Sequence, residues 1–327
     1  MIKAVKKFLR THLVNENHPA VMYFQLLRYD RIYSKVQKRH ERMSYAEMES
    51  ELSEKFMKTF GRPLNWDNPQ TYNEKIHVSK LYMPSPLKTR LADKYLVREW
   101  IREKIGGEYL IPLLGVYDSF DEIDFDSLPD RFVIKCNHDS GSYTFCRDKS
   151  KLNKKLLKQR YDTFMRRNYA WMNFEMHYRD IKPKIIIEKY IDTDINEYKF
   201  YCFDGKPHYC FVTFGKRDVD LSISFYDMDW KLQPFTRPDH KTHSQSAPRP
   251  AFYDKMRDIA TVLCEGFGHV RVDLYLADEE IYNGEMTFAT ANGFGKISPD
   301  EYDYRLGELW PFDNTIRRKI LAQSSHP

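Results

Sequence analysis

"HVRVDLYLADEEIYNGEMTF", residues 269–288, sets Arg271, Asp273, Glu285 and Thr287 into two short apolar runs. Side chains alternate faces along a strand, so Arg271 and Asp273 share one face while Val270, Val272 and Leu274 take the other. Glu285 and Thr287 likewise share a face. The stretch reads as a hairpin. With Asp278, Glu279 and Glu280 as a three-residue loop, Asp273 stands opposite Glu285 and Arg271 opposite Thr287; a two-residue loop would send the carboxylates to opposite faces. Two carboxylates at strand-pair spacing, ~5 Å between Cβ atoms, repel unless a positive charge lies between them. Mg²⁺ suits the place, because it takes a few carboxylates together with phosphate and water oxygens. Arg271 neutralising one carboxylate, with the other solvated, suits it equally well. The hairpin alone leaves both open.

Working outward, "VIKCNHDSGS" (133–142) ends a buried strand on Lys135 and continues into a polar loop with Ser140 and Gly141. Backbone N–H groups of such a loop, with a lysine, can close over phosphates. "IIIEKYI" (185–191) places Glu188 in an apolar run, where a carboxylate needs a partner. An adenine amino group is one candidate; a structural salt bridge is commoner. "EYKFYCFDGKPHYCFVTF" (197–214) is a hairpin by its Asp204-Gly205 turn, with Lys199 alternating among apolar neighbours. Helices are signalled by Ser44 with Glu47 and Thr71 with Glu74, both capping boxes. Further helices are expected through 87–105, through the lysine-rich stretch 150–167, and over about 252–266. Residues 215–250, with four prolines, read as a long irregular excursion. The fold class is therefore α+β: a helical N-terminal part (1–110), a small β-containing part (111–191) and a C-terminal part (192–327), with mixed or antiparallel sheets packed by helices.

Composition sets outer bounds. The chain has 327 residues, 42% hydrophobic and 30% charged, which is ample for a large core. Its 23 Tyr and 21 Phe favour β-structure. A net charge of +5 fits an anionic ligand or an acidic membrane surface and is too small to argue for nucleic acid, which is not expected as a partner. Five cysteines without a CxxC pair point to a reducing cytoplasm rather than a disulfide framework. At the start, Ile2, Val5, Leu9 and Leu13 share a helical face beside Lys3, Lys6, Lys7 and Arg10. Such a helix fits peripheral contact with the inner-membrane surface, or simply packs on its own protein. Asp227 and Asp229 in "YDMDW" form a D-x-D of the kind that holds a metal and a sugar diphosphate; a surface turn is the plainer account. "HKTHSQS" (240–246) reads as a mobile loop, and Lys216 and Arg217 face either an acceptor cleft or solvent.

Lys94 in "LADKYLVREW", Lys135 in "VIKCNH", Glu188 in "IIIEKYI", Glu197 in "NEYKFYCFDG" and the pair "VRVDLY…GEMTF" occur in the order found in ATP-grasp enzymes. "NPQTYNEKI", "KCNHDSGS", "FYDMDW" and "GFGKISPDEYDYRLGEL" resemble the TupA-like ATP-grasp branch associated with bacterial surface-polysaccharide loci, over roughly residues 55–310. The resemblance implies an ATP-grasp fold, with Lys94 and Lys135 on ATP phosphates and the loop around Ser140 and Gly141 closing over them. It also implies that Glu188 and the backbone of Lys189 and Ile191 read adenine and that Glu197 reads the ribose, and Lys199, from its place in the same strand, is a further candidate to point at ATP. Asp273 and Glu285 would hold Mg²⁺, with Arg271 beside the transferred phosphate. Thr287 stands where many ATP-grasp enzymes have a metal-binding Asn, and Asp139 where a glycine is common.

The implied reaction activates a carboxylate as an acyl phosphate, which an amine then attacks. The expected substrates are ATP, a sugar acid or glycan-linked carboxylate of a capsule or O-antigen pathway, and an amine or amino acid. A sugar kinase is a near variant. A nucleotide-sugar glycosyltransferase built on Asp227 and Asp229 is the alternative from another class, and a non-catalytic partner in a membrane-associated complex is a third.

Overall fold

The computed structural model describes residues 19–191, 196–215, 221–243 and 245–324. The proposed membrane-surface face at Ile2–Leu13, and Lys216 and Arg217, lie outside them. The chain opens with α1 (Pro19–His40), α2 (Tyr45–Phe60) and α3 (Tyr72–Tyr82). Both expected capping boxes form, Ser44 with Glu47 and Thr71 with Glu74. The single helix expected through 87–105 is instead two, α4 (Pro86–Ala92) and α5 (Val97–Ile105). The break comes at Asp93, whose carboxylate accepts the N–H groups of Tyr95 and Leu96 and so offers the backbone an alternative to the helical ladder. Lys94 lies in that break.

A small antiparallel sheet follows, from β1 (Leu113–Tyr117), β2 (Phe132–Cys136), β3 (Tyr143–Cys146) and β4 (Ile185–Lys189) in the order β1-β4-β2-β3. One face buries Phe132, Ile134, Cys136, Ile185 and Ile187 against Leu157, Tyr161 and Phe164 of α6 (Lys154–Met165). Lys135 pairs with Ile186 and Val133 with Glu188. Lys135 and Glu188 therefore share the opposite face. Short α7 (Ala170–Asn173) leads back toward β4.

The large sheet holds β5 (Glu197–Phe203), β6 (Lys206–Phe214), β7 (Ser222–Asp227), β8 (Lys241–Thr242), β9 (His269–Ala277) and β10 (Glu280–Thr287), in the order β10-β9-β5-β6-β7-β8. Its back face (Phe200, Cys210, Val212, Val270, Val272 and Leu274) packs on Met256, Ala260 and Leu263 of α8 (Tyr253–Cys264) and on Val97 and Ile101 of α5. The helical N-terminal part thus shares a core with the C-terminal sheet. On the front face, Tyr201, Phe203, Phe211 and Phe225 are covered by Tyr72 and Ile76 of α3 and by Phe235 and Ile297. The remainder of that face carries Glu197, Lys199, Arg271, Asp273, Glu285 and Thr287, as the register requires. Helices α9 (Glu301–Glu308) and α10 (Thr315–Ser324) close the chain.

Two expectations for 215–250 are corrected. The segment contributes β7, whose Ile223, Ser224, Phe225 and Tyr226 are all buried, so no alternation marked it as a strand. The histidine-containing stretch is tied down: His243 donates its N–H to Ile223 O at 2.8 Å, and its ring stacks on Phe214. Among the described residues no helix is long and apolar enough to cross a membrane.

Candidate functional site

The β9–β10 hairpin places Asp273 opposite Glu285 and Arg271 opposite Thr287. It does so by a different route from the three-residue loop expected. Glu280 pairs with Ala277, leaving Asp278 and Glu279 as a two-residue turn, both with positive φ (49° and 63°). That is the primed hairpin turn matching the strand twist. The odd residue lies further on, as a bulge between Asn283 and Glu285. Gly284 fills it because a Cβ there would come within 2.4 Å of the Tyr275 ring. The bulge turns Glu285 onto the face of Asp273.

Asp273 is 3% exposed and held from two sides. Arg271 donates Nε to Oδ1 at 2.6 Å and Nη2 to Oδ2 at 2.7 Å, and also reaches Thr287 Oγ1 at 3.1 Å. Lys199 Nζ lies 3.1 Å from Asp273 Oδ2 and 2.7 Å from Glu197 Oε2. Burial alone would lower the pKa of Arg271 and Lys199. The facing carboxylates outweigh it, Asp273 first in each case, and both pKa values are raised. Both side chains are therefore fixed cations. Glu285 makes no hydrogen bond or ion pair with the described residues and is only partly buried. Its charge is felt by the buried Tyr178, whose pKa is raised by burial and then by Glu285.

On the small sheet, Glu188 is 4% exposed and shared by two cations: Lys135 Nζ at 2.6 Å and Arg98 Nη1 at 3.1 Å. Arg98 was not anticipated. It comes from α5, ninety residues from Glu188, and no local pattern marks it. The Lys189 N–H donates to Pro112 O at 2.9 Å, so an adenine ring could meet only its carbonyl. Ile191 lies two residues further on, half-buried beyond the strand.

The loop 137–142 is built as a cradle. Lys94 clasps it twice, N–H to Asn137 O at 3.1 Å and Nζ to Asp139 O. His138 Nε2 bonds Phe164 O at 3.2 Å and so ties the loop to α6; burial lowers its pKa, so the ring is neutral and Nε2 donates. Asp139 is 4% exposed, and its carboxylate accepts from the Ser142 hydroxyl. Ser140 is exposed at the tip beside Gly141, whose φ is +95°. The N–H groups of Asp139, Ser140 and Gly141 donate to no backbone carbonyl of the described residues. Consecutive free N–H groups around a left-handed residue make an anion-binding concavity.

Asp227, by contrast, is consumed by its turn. Oδ1 accepts the N–H groups of Asp229 (3.0 Å) and Lys231 (2.9 Å), and Oδ2 accepts from Gln233 Nε2 at 3.1 Å. The D-x-D is a surface turn. Among the described residues no three His, Cys, Asp or Glu side chains cluster as a metal site. An ion at Asp273 and Glu285 would keep phosphate and water ligands, the usual habit of Mg²⁺.

No curated protein matches the chain. Among solved structures it is similar to D-alanine–D-alanine ligase from Bacillus anthracis complexed with ATP, at 17% identity and TM-score 0.38, covering 70% of this chain and 66% of that one. It is also similar to N5-carboxyaminoimidazole synthetase from Staphylococcus aureus (11%, 0.35, covering 61% and 44%) and to the ATP-grasp ligase PsnB complexed with minimal precursor (10%, 0.35, covering 62% and 54%). The chain thus spans 44% to 66% of the length of these three proteins. A TupA-like ATP-grasp profile matches residues 74–310, which include Lys94, the loop 137–142, Glu188 and the whole β9–β10 hairpin. The chain belongs to the TupA-like ATP-grasp family.

Proposed function

We propose that the chain is an ATP-dependent carboxylate–amine ligase working through an acyl phosphate. The observation that carries this is the β9–β10 hairpin: Asp273 and Glu285 face one another, and Glu285 has no protein partner among the described residues. Asp273, Glu285 and the Thr287 hydroxyl fit Mg²⁺, which would neutralise phosphate oxygens there. The charges divide accordingly. On the large sheet three carboxylates (Glu197, Asp273, Glu285) meet two cations (Lys199, Arg271), leaving an excess of negative charge for a metal. On the small sheet and its loop, the three cations Lys94, Lys135 and Arg98 meet two carboxylates, Glu188 and Asp139, leaving an excess of positive charge for a polyphosphate.

In this reading the loop N–H groups, Lys94 and Lys135 take the phosphates. The Lys189 carbonyl, the Ile191 backbone and Glu188 take the adenine edge. Glu197 takes the ribose hydroxyls, and Lys199 lies alongside. Arg271, always protonated, stabilises charge on the phosphoryl group as it passes to the acceptor carboxylate, whose oxygen attacks the γ-phosphorus while ADP leaves. An amine then displaces phosphate from the acyl carbon. The acceptor class, a sugar acid of a capsule or O-antigen precursor with an amino acid or amine as nucleophile, follows the family resemblance. The commitment of Asp227 to its turn weighs against a glycosyltransferase.

The test is calorimetric binding of Mg·ATP, followed by phosphate release with hexuronic acids and amino acids. Metal-dependent ATP binding that disappears in Asp273→Asn/Glu285→Gln, with phosphate release needing both co-substrates, is the expected result. Binding of a nucleotide sugar that survives this double substitution would overturn it.

A further inference from the structure

We propose that Arg98 is a positioning residue that makes Lys135 transferable, serving as the counter-ion of Glu188 when Lys135 moves to the nucleotide phosphates. This rests on the nucleotide reading above. Glu188 is buried between two cations, Lys135 at 2.6 Å and Arg98 at 3.1 Å. A lysine held at that distance on a buried carboxylate is not free for a phosphate. If it left alone, it would strand an unpaired buried charge, the most costly outcome for an ion pair. Arg98 removes that penalty. It already holds Glu188 Oε1 while Lys135 holds Oε2, so one cation can go and the other remain.

The placement of Arg98 suits the task. Its second terminal nitrogen, Nη2, donates to Ile111 O at 2.7 Å, fixing the guanidinium plane. Neighbouring Val97 and Ile101 pack in the core of the large sheet, whereas Glu188 and Ile111 belong to the small-sheet region. The side chain is 11% exposed, shielding the pair from competing water and salt. With both cations present, the Glu188 site carries a surplus positive charge that a triphosphate answers.

The test compares calorimetric affinities for ATP and for adenosine, taken as a ratio so that changes at the adenine cancel. Wild type is expected to bind ATP more tightly than adenosine. In Arg98→Met, Lys135 is locked to Glu188, so ATP affinity should fall about 10- to 100-fold with adenosine little changed. In Arg98→Met/Glu188→Gln no carboxylate holds Lys135, and the ATP-to-adenosine ratio should recover. A merely structural role for Arg98 would not be rescued by removing Glu188. If Arg98→Met does not fold, Glu188→Gln and the double variant are compared instead, and equal ratios are expected. A lower ratio in the double variant, an unchanged ratio in folded Arg98→Met, or equal losses of ATP and adenosine each overturn the proposal while leaving the ATP site standing. No preference for ATP in wild type overturns both readings.

Discussion

Asp273 and Glu285 face each other across one strand pair, yet their neutralisation should have very unequal consequences for the unliganded protein. Asp273→Asn withdraws the charge that holds Arg271 bidentately and Lys199 at 3.1 Å, in a place 3% exposed. Breaking a buried pair from one side costs about 3–5 kcal/mol, chiefly because the remaining cation is left uncompensated. At about 2 cal/mol/K per residue, unfolding 327 residues carries roughly 0.7 kcal/mol/K, so Tm should fall by about 4–7 °C. Glu285→Gln removes nothing that the protein itself pairs, and should stay within about 0.5 kcal/mol, or 1 °C. Ligand stabilisation, by contrast, should be lost alike in both. A saturating Mg·ATP complex at a hundred times its Kd stabilises by about 2.7 kcal/mol, roughly 4 °C, and both variants should lose the metal-dependent part. Differential scanning calorimetry of each variant with EDTA, with Mg²⁺, and with Mg·ATP gives all the numbers. Equal destabilisation of the two unliganded variants would refute the asymmetry argued from Arg271 and Lys199. Metal-dependent ATP stabilisation kept by both would remove the metal from this hairpin.

Gly284→Ala should cost about 1–3 kcal/mol, since its Cβ would lie 2.4 Å from the Tyr275 ring, and Tyr275→Ala in the same chain should restore part of it in a double-mutant cycle by urea unfolding. Lys80, 2% exposed and bonded to Asn292 O at 2.8 Å, has its pKa lowered to about 7, by burial above all. The unfolded chain therefore binds more protons than the folded one between pH 7 and the ordinary lysine range. Wild-type stability should rise with pH in that window, by up to about 1.4 kcal/mol per unit, relative to Lys80→Met; equal slopes by denaturant titration would count against it. Asp227→Ala deletes three accepted hydrogen bonds of the turn and should cost about 1–2 kcal/mol while leaving Mg·ATP affinity unchanged; a loss of nucleotide-sugar binding in that variant would revive the alternative activity.

What was legible in the sequence was what is local or periodic. The capping boxes at Ser44 and Thr71 involve partners three residues apart, and the Asp204-Gly205 turn is written in two residues. The break at Asp93 is also local, but an Asp inside an otherwise helical pattern competes with the helix only by a side-chain bond, and the apolar periodicity continues across it. Strand β7 was hidden because both of its faces are buried, which erases alternation.

The hairpin shows why a correct facing can follow from an incorrect turn. Side-chain facing depends on the parity of the residues between two positions, and parity is conserved wherever the odd residue sits. Placing it in the turn or at Gly284 gives the same pairing of Asp273 with Glu285. The two arrangements differ only in the residues between, where Glu280 becomes a strand residue opposite Ala277 and Asn283 pairs with Leu274. The signal separating them was present: a glycine inside a strand marks a bulge or a close approach, and Tyr275 supplies the approach. No comparable signal exists for Arg98. Its partner lies ninety positions away, on a sheet that the α5 residues beside it do not pack against. A helix pattern assigns an arginine there to solvent, and only the packing of α5 on the large sheet brings its guanidinium to Glu188. The residue that, by our inference, governs when Lys135 can reach a phosphate is thus the one that sequence periodicity would discard first.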